Sequence, residues 1–413
     1  MHTSPPSERS LLGLALALSL AAAVSLGITR FAYGLLLPPM RAELQWSYAL
    51  AGAMNTANAL GYLAGALLTP RLLRLAQLPE VLLGGAVLAG VFMAVTGFFT
   101  GAAPLLLQRV LAGGASALLF IAGSLLAARL GSLRPGRGGL LLGIYYGGTG
   151  LGIVLSALLV PAVLEATAGR AHGWAWAWWL LGLACIAATA VLMWPARVLG
   201  RVPLPTGAAG AAASGFRWPH FAPALAAYFM FGVGYIGYMT FVIALLREHG
   251  QGSGRITFFY ALLGVAVMAS ARIWAGLLDR YHGGQPLAIL SALLAVATVL
   301  PALTAAWPLV LVSGLLFGGV FLSLVASTTA LVRHNLPAGD WAAGISAFTI
   351  VFAAGQIVGP TMVGWIADGP GGLARGLLFS AAALGVGALL AWRQRPLQAA
   401  AALPAATSTG LRP

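Results

Sequence analysis

The chain has 413 residues, of which 60% are hydrophobic and only 7% are charged, and its mean hydropathy is +0.93. A soluble globular chain carries about 25% charged residues, so this composition excludes that class and predicts an integral membrane protein. The net charge of +14 comes from arginines scattered singly between apolar runs, without the basic stripe and interleaved aromatic residues of a nucleic-acid interface.

Apolar runs long enough to cross a hydrocarbon layer recur along the whole chain, each with about 20 residues or more. They lie near 11–37, 47–69, 81–99, 104–128, 139–163, 174–194, 221–246, 256–277, 286–304, 307–332, 341–366 and 375–392. The start of the chain has the charge and apolar core of a signal peptide, but the run continues to Leu37, so we predict an uncleaved first helix. The predicted fold is an all-α membrane protein with twelve transmembrane helices.

The arginines predict the orientation of these helices. If the N-terminus is cytoplasmic, 14 of the 22 basic residues fall in cytoplasmic segments, five fall outside and three lie within the spans. Because positive residues are enriched in cytoplasmic loops, we predict a multi-pass protein of the cytoplasmic membrane with both termini inside.

Two similar halves are predicted from internal repetition. The pair Gly113-Gly114 recurs as Gly318-Gly319, and Gly148 and Gly152 recur as Gly355 and Gly359, at offsets of roughly 205 to 210 positions. Residues 196–220 are rich in glycine, alanine and proline, which predicts a cytoplasmic linker between a half at 1–195 and a half at 221–393. Residues 394–413 are predicted to be a disordered cytoplasmic tail.

Several segments resemble motifs of the major facilitator superfamily. Residues 109–114 look like its arginine-glycine motif in the fourth helix, residues 143–152 like its glycine-rich fifth-helix motif, and residues 275–280 like its loop motif. Residues 30–40 and 55–62 look more narrowly like the bacterial YbfB/YjiJ-like branch. The resemblance implies secondary transport by alternating access between two six-helix halves. The first-half loop motif departs from the family, with Thr69 where an aspartate is usual.

Three arginines within the predicted spans are candidates for function, since a charge inside a membrane is costly and marks a functional site by default. All eight acidic residues lie in loops or at span ends, so an intramembrane cavity would be positive and favour an anion. Arg30 is predicted to contact the substrate, unless it extends to the outer interface. Arg109 is predicted to have a structural or proton-relay role, which its motif resemblance implies, unless it extends to the outer interface. Arg272 is predicted to extend to the cytoplasm or pair with Asp279.

The predicted substrate-binding set adds neutral polar residues that share helix faces with one another or lie beside the glycine motifs. It comprises Arg30, Tyr33, Asn55, Asn58, Tyr145, Tyr146, Tyr235, Tyr238 and Gln356. Each of these side chains could instead hold helices together through hydrogen bonds.

A second set is predicted to act in conformational change. It comprises Arg109, Gly113, Gly148, Gly152, Arg272, Asp279, Arg280, Gly355, Gly359 and Pro360. Glycines four residues apart share one helix face and allow close approach, so Gly148 with Gly152 and Gly355 with Gly359 are predicted to form contacts between the halves. Static packing is the alternative.

The sequence contains no P-loop, metal-ligand spacing or nucleophile elbow, so we predict neither an enzyme nor a cofactor or metal site. The prediction is a monomeric secondary transporter of a small organic solute, with a weak preference for an anion and with protons as the coupling ion that the resemblance implies. An exporter of hydrophobic drugs or metabolites is the alternative, and a non-transporting membrane receptor or scaffold is the alternative from another class.

Overall fold

The computed structural model describes residues 8–134, 136–200 and 216–397, and the regular structure in these ranges is helical. Twelve helices follow one another in the described chain, and α1 is continuous through three segments, Glu8–Ala22, Ala23–Phe31 and Tyr33–Leu44. The others are α2 (Tyr48–Leu75), α3 (Leu78–Thr96), α4 (Ala102–Ser132), α5 (Gly138–Ala166), α6 (Gly173–Leu199), α7 (Trp218–Phe221 continued by Ala222–Glu248), α8 (Ser253–Ile273 with a short continuation at Ala275–Arg280), α9 (Gln285–Leu303), α10 (Trp307–Asn335), α11 (Trp341–Ala367) and α12 (Gly372–Trp392).

Each predicted apolar run is covered by one of these helices, which confirms the all-α membrane fold. Eleven of them are long and apolar enough to cross a membrane within the described chain. The remaining helix, α2, is 28 residues long, but Asn55, Asn58 and Arg71 make it more polar than the others. The chain is therefore a multi-pass membrane protein. Most of the predicted linker, at 201–215, and most of the predicted tail, at 398–413, lie outside the described residues.

The helix ends define two sides of the bundle. On one side, Arg129 donates to the carbonyl of Leu199, and Asn335 donates to the carbonyl of His282. We call this side, where residues 8, 200 and 394 lie, the termini side. The opposite side carries the connections 45–47, 249–252 and 368–371, and we call it the far side.

The predicted glycine pairs pack within the halves. A Cβ added at Gly148 would lie 1.9 Å from the carbonyl oxygen of Ser19, and one at Gly152 would lie 2.3 Å from that of Ala23, so both glycines seat α5 on α1. In the second half, Gly355 and Gly359 approach α7 in the same way. The prediction that these pairs form contacts between the halves is therefore wrong. The spacing correctly indicates a close-packed face, but it does not say which helix that face meets.

Other glycines make the contacts between the halves. A Cβ at Gly52 of α2 would lie 2.1 Å from the carbonyl oxygen of Pro360 in α11, and one at Gly150 of α5 would lie 2.3 Å from that of Gly264 in α8. At these two seams, the backbones of opposite halves lie so close together that only glycine, which has no Cβ atom, fits without a shift. Pro360 thus contributes its carbonyl to a seam between the halves.

The first helix has an unusual middle section. Residues Ala23–Phe31 form a π-helix, a conformation that is rare and is found mostly as single turns at functional sites. The helix then continues through Pro38 and Pro39 as far as Leu44, beyond the predicted end of the run near Leu37. Burial of Leu37 and Met40 against the rest of the bundle accompanies this extension. The π section positions Arg30, which lies in its last turn.

Candidate functional site

Arg30 lies inside the bundle and connects the two halves. Its side chain is 3% exposed, and one Nη donates a hydrogen bond of 2.8 Å to Oε1 of Gln356 in α11. The amide nitrogen of Gln356 in turn donates to the hydroxyl of Tyr235 in α7. The Nε of Arg30 is buried and has no hydrogen-bond partner in the described chain. The guanidinium is thus held between the halves rather than extended to an interface.

A tyrosine from α2 also lies beside this group. The Tyr62 ring is 5.9 Å from the Arg30 guanidinium carbon. The predicted residues Arg30, Tyr235 and Gln356 are therefore brought together from three helices of both halves, and α2 adds Tyr62. Tyr62 is not in the predicted binding set, although its spacing from Asn55 and Asn58 indicates a shared helix face from which it could hydrogen-bond a substrate. The predicted residue Tyr146 of α5 is 37% exposed, and its ring packs against those of Phe120 and Tyr145.

Arg109 is held very differently from Arg30. One Nη donates to the carbonyl of Thr29 at 2.8 Å, the other donates to Oδ1 of Asn55 at 3.0 Å, and Nε donates to the carbonyl of Met54 at 3.4 Å. Its guanidinium carbon also lies 5.1 Å from the centre of the Tyr33 ring. Because each of its nitrogens has a partner within the first half, this arginine ties α4 to α1 and α2.

The other predicted binding residues hydrogen-bond to the chain itself in this conformation. Asn55 donates to Thr240 across the halves at 2.7 Å, and Asn58 donates to the carbonyl of Arg109 at 3.3 Å. The Tyr33 hydroxyl donates to the carbonyl of Ala51, and the Tyr145 hydroxyl donates to the carbonyl of Phe120. The Tyr238 hydroxyl hydrogen-bonds to the hydroxyl of Ser313. Substrate contact by these five residues stays a prediction.

A stack of aromatic rings adjoins the polar group on the second-half side. It consists of Tyr228, Phe231, Tyr235, Phe321 and Phe352 from α7, α10 and α11. Tyr235 stacks on Phe231 at 4.8 Å, on Phe321 at 5.1 Å and on Phe352 at 5.5 Å, with planes inclined by 20° to 26°. Helical spacing places Tyr228, Phe231 and Tyr235 on one face of α7, but it could not show that Phe321 and Phe352 join them, because these two come from helices distant in the chain.

The predicted conformational residues on the termini side are exposed. Arg272, Asp279 and Arg280 lie on the surface near the break in α8 at Trp274. The exposure of Arg272 is compatible with the predicted extension of its side chain out of the bundle. Gly113 packs α4 on α2, where an added Cβ would lie 2.1 Å from the carbonyl oxygen of Asn58. Whether these residues act in conformational change stays a prediction.

The far side is closed by contacts between the halves. The first two backbone N–H groups of α2, those of Tyr48 and Ala49, donate to the two carboxylate oxygens of Asp368 at 2.7 and 2.9 Å. The Tyr48 hydroxyl also hydrogen-bonds to Glu248 at the end of α7. We call these three contacts the far-side latch. The sequence places both acids at span ends, but it does not show what they meet.

The sequence matches a known transporter family over most of its length. The family model described as "Uncharacterised MFS-type transporter YbfB" matches residues 22–392. The chain belongs to this family of the major facilitator superfamily. It is therefore a non-enzymatic membrane transporter, and the resemblance found in the sequence is confirmed. None of the curated protein sequences matches the chain significantly.

Solved structures of transporters share the fold. A bacterial homologue of the human lysosomal transporter Spinster, in an inward-facing and unoccupied conformation, is 17% identical with a TM-score of 0.70, over 94% of this chain and 97% of that chain. A point mutant of the nucleoside transporter NupG is 13% identical with a TM-score of 0.71, over 92% and 98% of the two chains. The human organic anion transporter MFSD10 is 15% identical with a TM-score of 0.60, over 94% and 100%. At these identities the likeness shows the fold alone.

Proposed function

We propose that this transporter carries a small organic anion by alternating access, with Arg30 as the group that binds the anion. The observation behind the proposal is the placement of Arg30, a buried guanidinium where the two halves meet, with its Nε free of a hydrogen-bond partner in the described chain. A guanidinium stays charged in proteins, and it binds carboxylates through paired N–H groups.

The surrounding charges support an anion over a cation. The structure records no ion pair between Arg30 and a carboxylate in the described ranges. A buried charge without an oppositely charged partner costs free energy. An anionic solute that neutralises Arg30 therefore gains more binding free energy than it would at a neutral site. Gln356 and Tyr235 provide further polar groups for the solute. One structural neighbour is itself described as an organic anion transporter.

Alternating access is supported by the way in which the halves meet. The bond from Arg30 to Gln356 and the far-side latch both join one half to the other. A solute bound at Arg30 would replace the Gln356 contact and so alter the connection between the halves. We further propose that both termini lie in the cytoplasm, as the excess of arginines on that side predicts. The far-side latch would then face the outside.

The experiment is solute flux in proteoliposomes, with a panel of organic anions, organic cations and neutral solutes, with and without a pH gradient. We expect flux of at least one anion, a loss of tenfold or more in Arg30→Ala, and partial recovery in Arg30→Lys because the positive charge returns. Arg170→Ala, at an exposed loop arginine, serves as the control. Anion flux that survives unchanged in Arg30→Ala would refute the anion site. A requirement for the pH gradient would support proton coupling.

The neutral arm of the panel tests the alternative of an exporter of hydrophobic compounds. The aromatic stack is the feature that favours this alternative, because hydrophobic rings suit apolar solutes. Flux of apolar neutral compounds that does not depend on Arg30 would support export of such compounds and would contradict the anion proposal.

A further inference from the structure

Arg30 lies beside an ordered set of aromatic rings. Gln356 accepts from Arg30 and donates to Tyr235, so the charged group and the aromatic stack are joined through one amide. Within the stack, Phe231 and Phe352 are 5.2 Å apart with planes only 10° from parallel. Across the site, the Tyr62 ring lies 5.9 Å from the guanidinium carbon.

The rings differ in how far they are covered. Phe231, Tyr235 and Phe321 are almost fully buried, at 0%, 1% and 4% exposure. Phe352 is partly exposed, as are Tyr62 and Tyr146. Tyr62 of α2 is thus a partly exposed ring beside Arg30, and Phe352 of α11 is the partly exposed member of the aromatic stack. Phe352 presents accessible aromatic surface one turn along α11 from Gln356.

We propose that the transported anion is an aromatic carboxylate, whose carboxylate binds Arg30 and whose ring stacks against Phe352 and its neighbours. This inference rests on the proposed function and narrows its substrate class. The carboxylate would displace Oε1 of Gln356 and engage the Arg30 Nε, which has no partner in the described chain. The Gln356 amide, released from Arg30, could then donate to the carboxylate.

The ring is what separates this class from other organic anions. Aromatic pairs prefer offset-stacked or edge-to-face arrangements with centres about 4.5 to 7 Å apart, and they gain affinity beyond the burial of area. The existing stack shows this spacing among its own members. A saturated ring of similar size would bury similar area but would lose this additional gain.

The experiment compares benzoate with cyclohexanecarboxylate, which carry the same charged group on six-membered rings that differ in aromaticity. Binding to the full chain in detergent is measured from the rise in melting temperature with ligand concentration. We expect benzoate to bind roughly threefold to tenfold more tightly, the factor that one aromatic pair supplies. Phe352→Leu should reduce this ratio towards one, whereas Phe258→Leu, at an exposed position of α8, should leave it unchanged.

Equal affinity for the two acids, or no binding of either, would overturn the inference. If anion flux still depends on Arg30 in that case, the proposed function stands and only the aromatic preference fails. Anion flux that does not depend on Arg30 would instead contradict the proposed function. If Phe352→Leu does not fold, the ratio measured on the unsubstituted chain decides the question alone.

Discussion

At the scale of single residues, two buried arginines differ in their hydrogen bonds. Arg109 is 2% exposed and Arg30 is 3% exposed, so burial alone does not distinguish them. Their partners do. Arg109 donates to Thr29, Met54 and Asn55, whereas Arg30 donates to Gln356 and keeps its Nε without a partner in the described chain. The bonds of Arg109 tie three helices of the first half together, and under the proposed function the unpartnered Nε of Arg30 is available to a ligand.

This difference predicts different effects on stability. Arg109→Ala removes three hydrogen bonds and leaves the buried Asn55 amide oxygen without its donor, the last at a cost of about 1–3 kcal/mol. We therefore expect a large fall in the melting temperature in detergent, followed by fluorescence or by loss of the monodisperse peak. Arg30→Ala should lower the melting temperature much less, because it breaks one hydrogen bond. Arg272→Ala, at an exposed arginine, is the control. Equal destabilisation by Arg30→Ala and Arg109→Ala would contradict the distinction.

At the scale of helices, close packing in α5 depends on which glycine is substituted. Gly148 faces α1 within its half, Gly150 faces α8 across the halves, and an added Cβ at Gly143 would meet nothing within 4 Å. Three positions on one helix thus differ in what they touch while sharing the same backbone conformation. This makes α5 suitable for separating stability from conformational change.

We expect Gly148→Ala to lower the melting temperature, since its Cβ would meet the Ser19 carbonyl oxygen at 1.9 Å and overpacking costs about 1–3 kcal/mol. Gly143→Ala should be neutral or stabilising, because alanine gains about 1 kcal/mol of helix propensity over glycine. Gly150→Ala should slow flux more than it lowers stability, because its Cβ would meet the Gly264 carbonyl oxygen and hold the two halves apart at this seam. Melting curves and flux on the same preparations test this. A loss of stability in Gly143→Ala comparable to that in Gly148→Ala would contradict it.

The sequence predicts the helices well and their neighbours poorly, for a physical reason. Apolar runs near 20 residues determine where helices cross, so the covered runs agree with α1 to α12. Side-chain contacts depend on how each helix is rotated about its own axis. A helix that is apolar on all sides gives almost no information about that rotation. Gly148 and Gly355 are therefore recognisable as close-packed positions, but their spacing does not identify their partners. Arg30 is predicted as a site residue because a charge within an apolar run is evident from the sequence alone.

At the scale of the whole molecule, the far-side latch holds together halves that meet at Arg30 in the middle of the bundle. Both of its carboxylates belong to the second half, and both meet Tyr48 or its neighbour in the first half. Asp368 also lies at the N-terminus of α2, where the helix dipole favours a negative charge. Any opening of the far side must break these contacts, so the latch stabilises the conformation in which the far side is closed.

Neutralising Asp368 should therefore favour opening of the far side. Asp368→Asn keeps a similar shape but loses the charge that accepts two backbone N–H groups, a change worth about 1–2 kcal/mol, or roughly tenfold in the ratio of open to closed molecules. Spin labels at Leu50→Cys and Gly369→Cys, in a Cys185→Ala background, would report the distance between the halves by pulsed electron paramagnetic resonance. We expect Asp368→Asn to increase the population at long distance. Glu165→Gln, which neutralises an exposed carboxylate on the same side, should leave the distribution unchanged. An unchanged distribution in Asp368→Asn would show that the latch does not control closure.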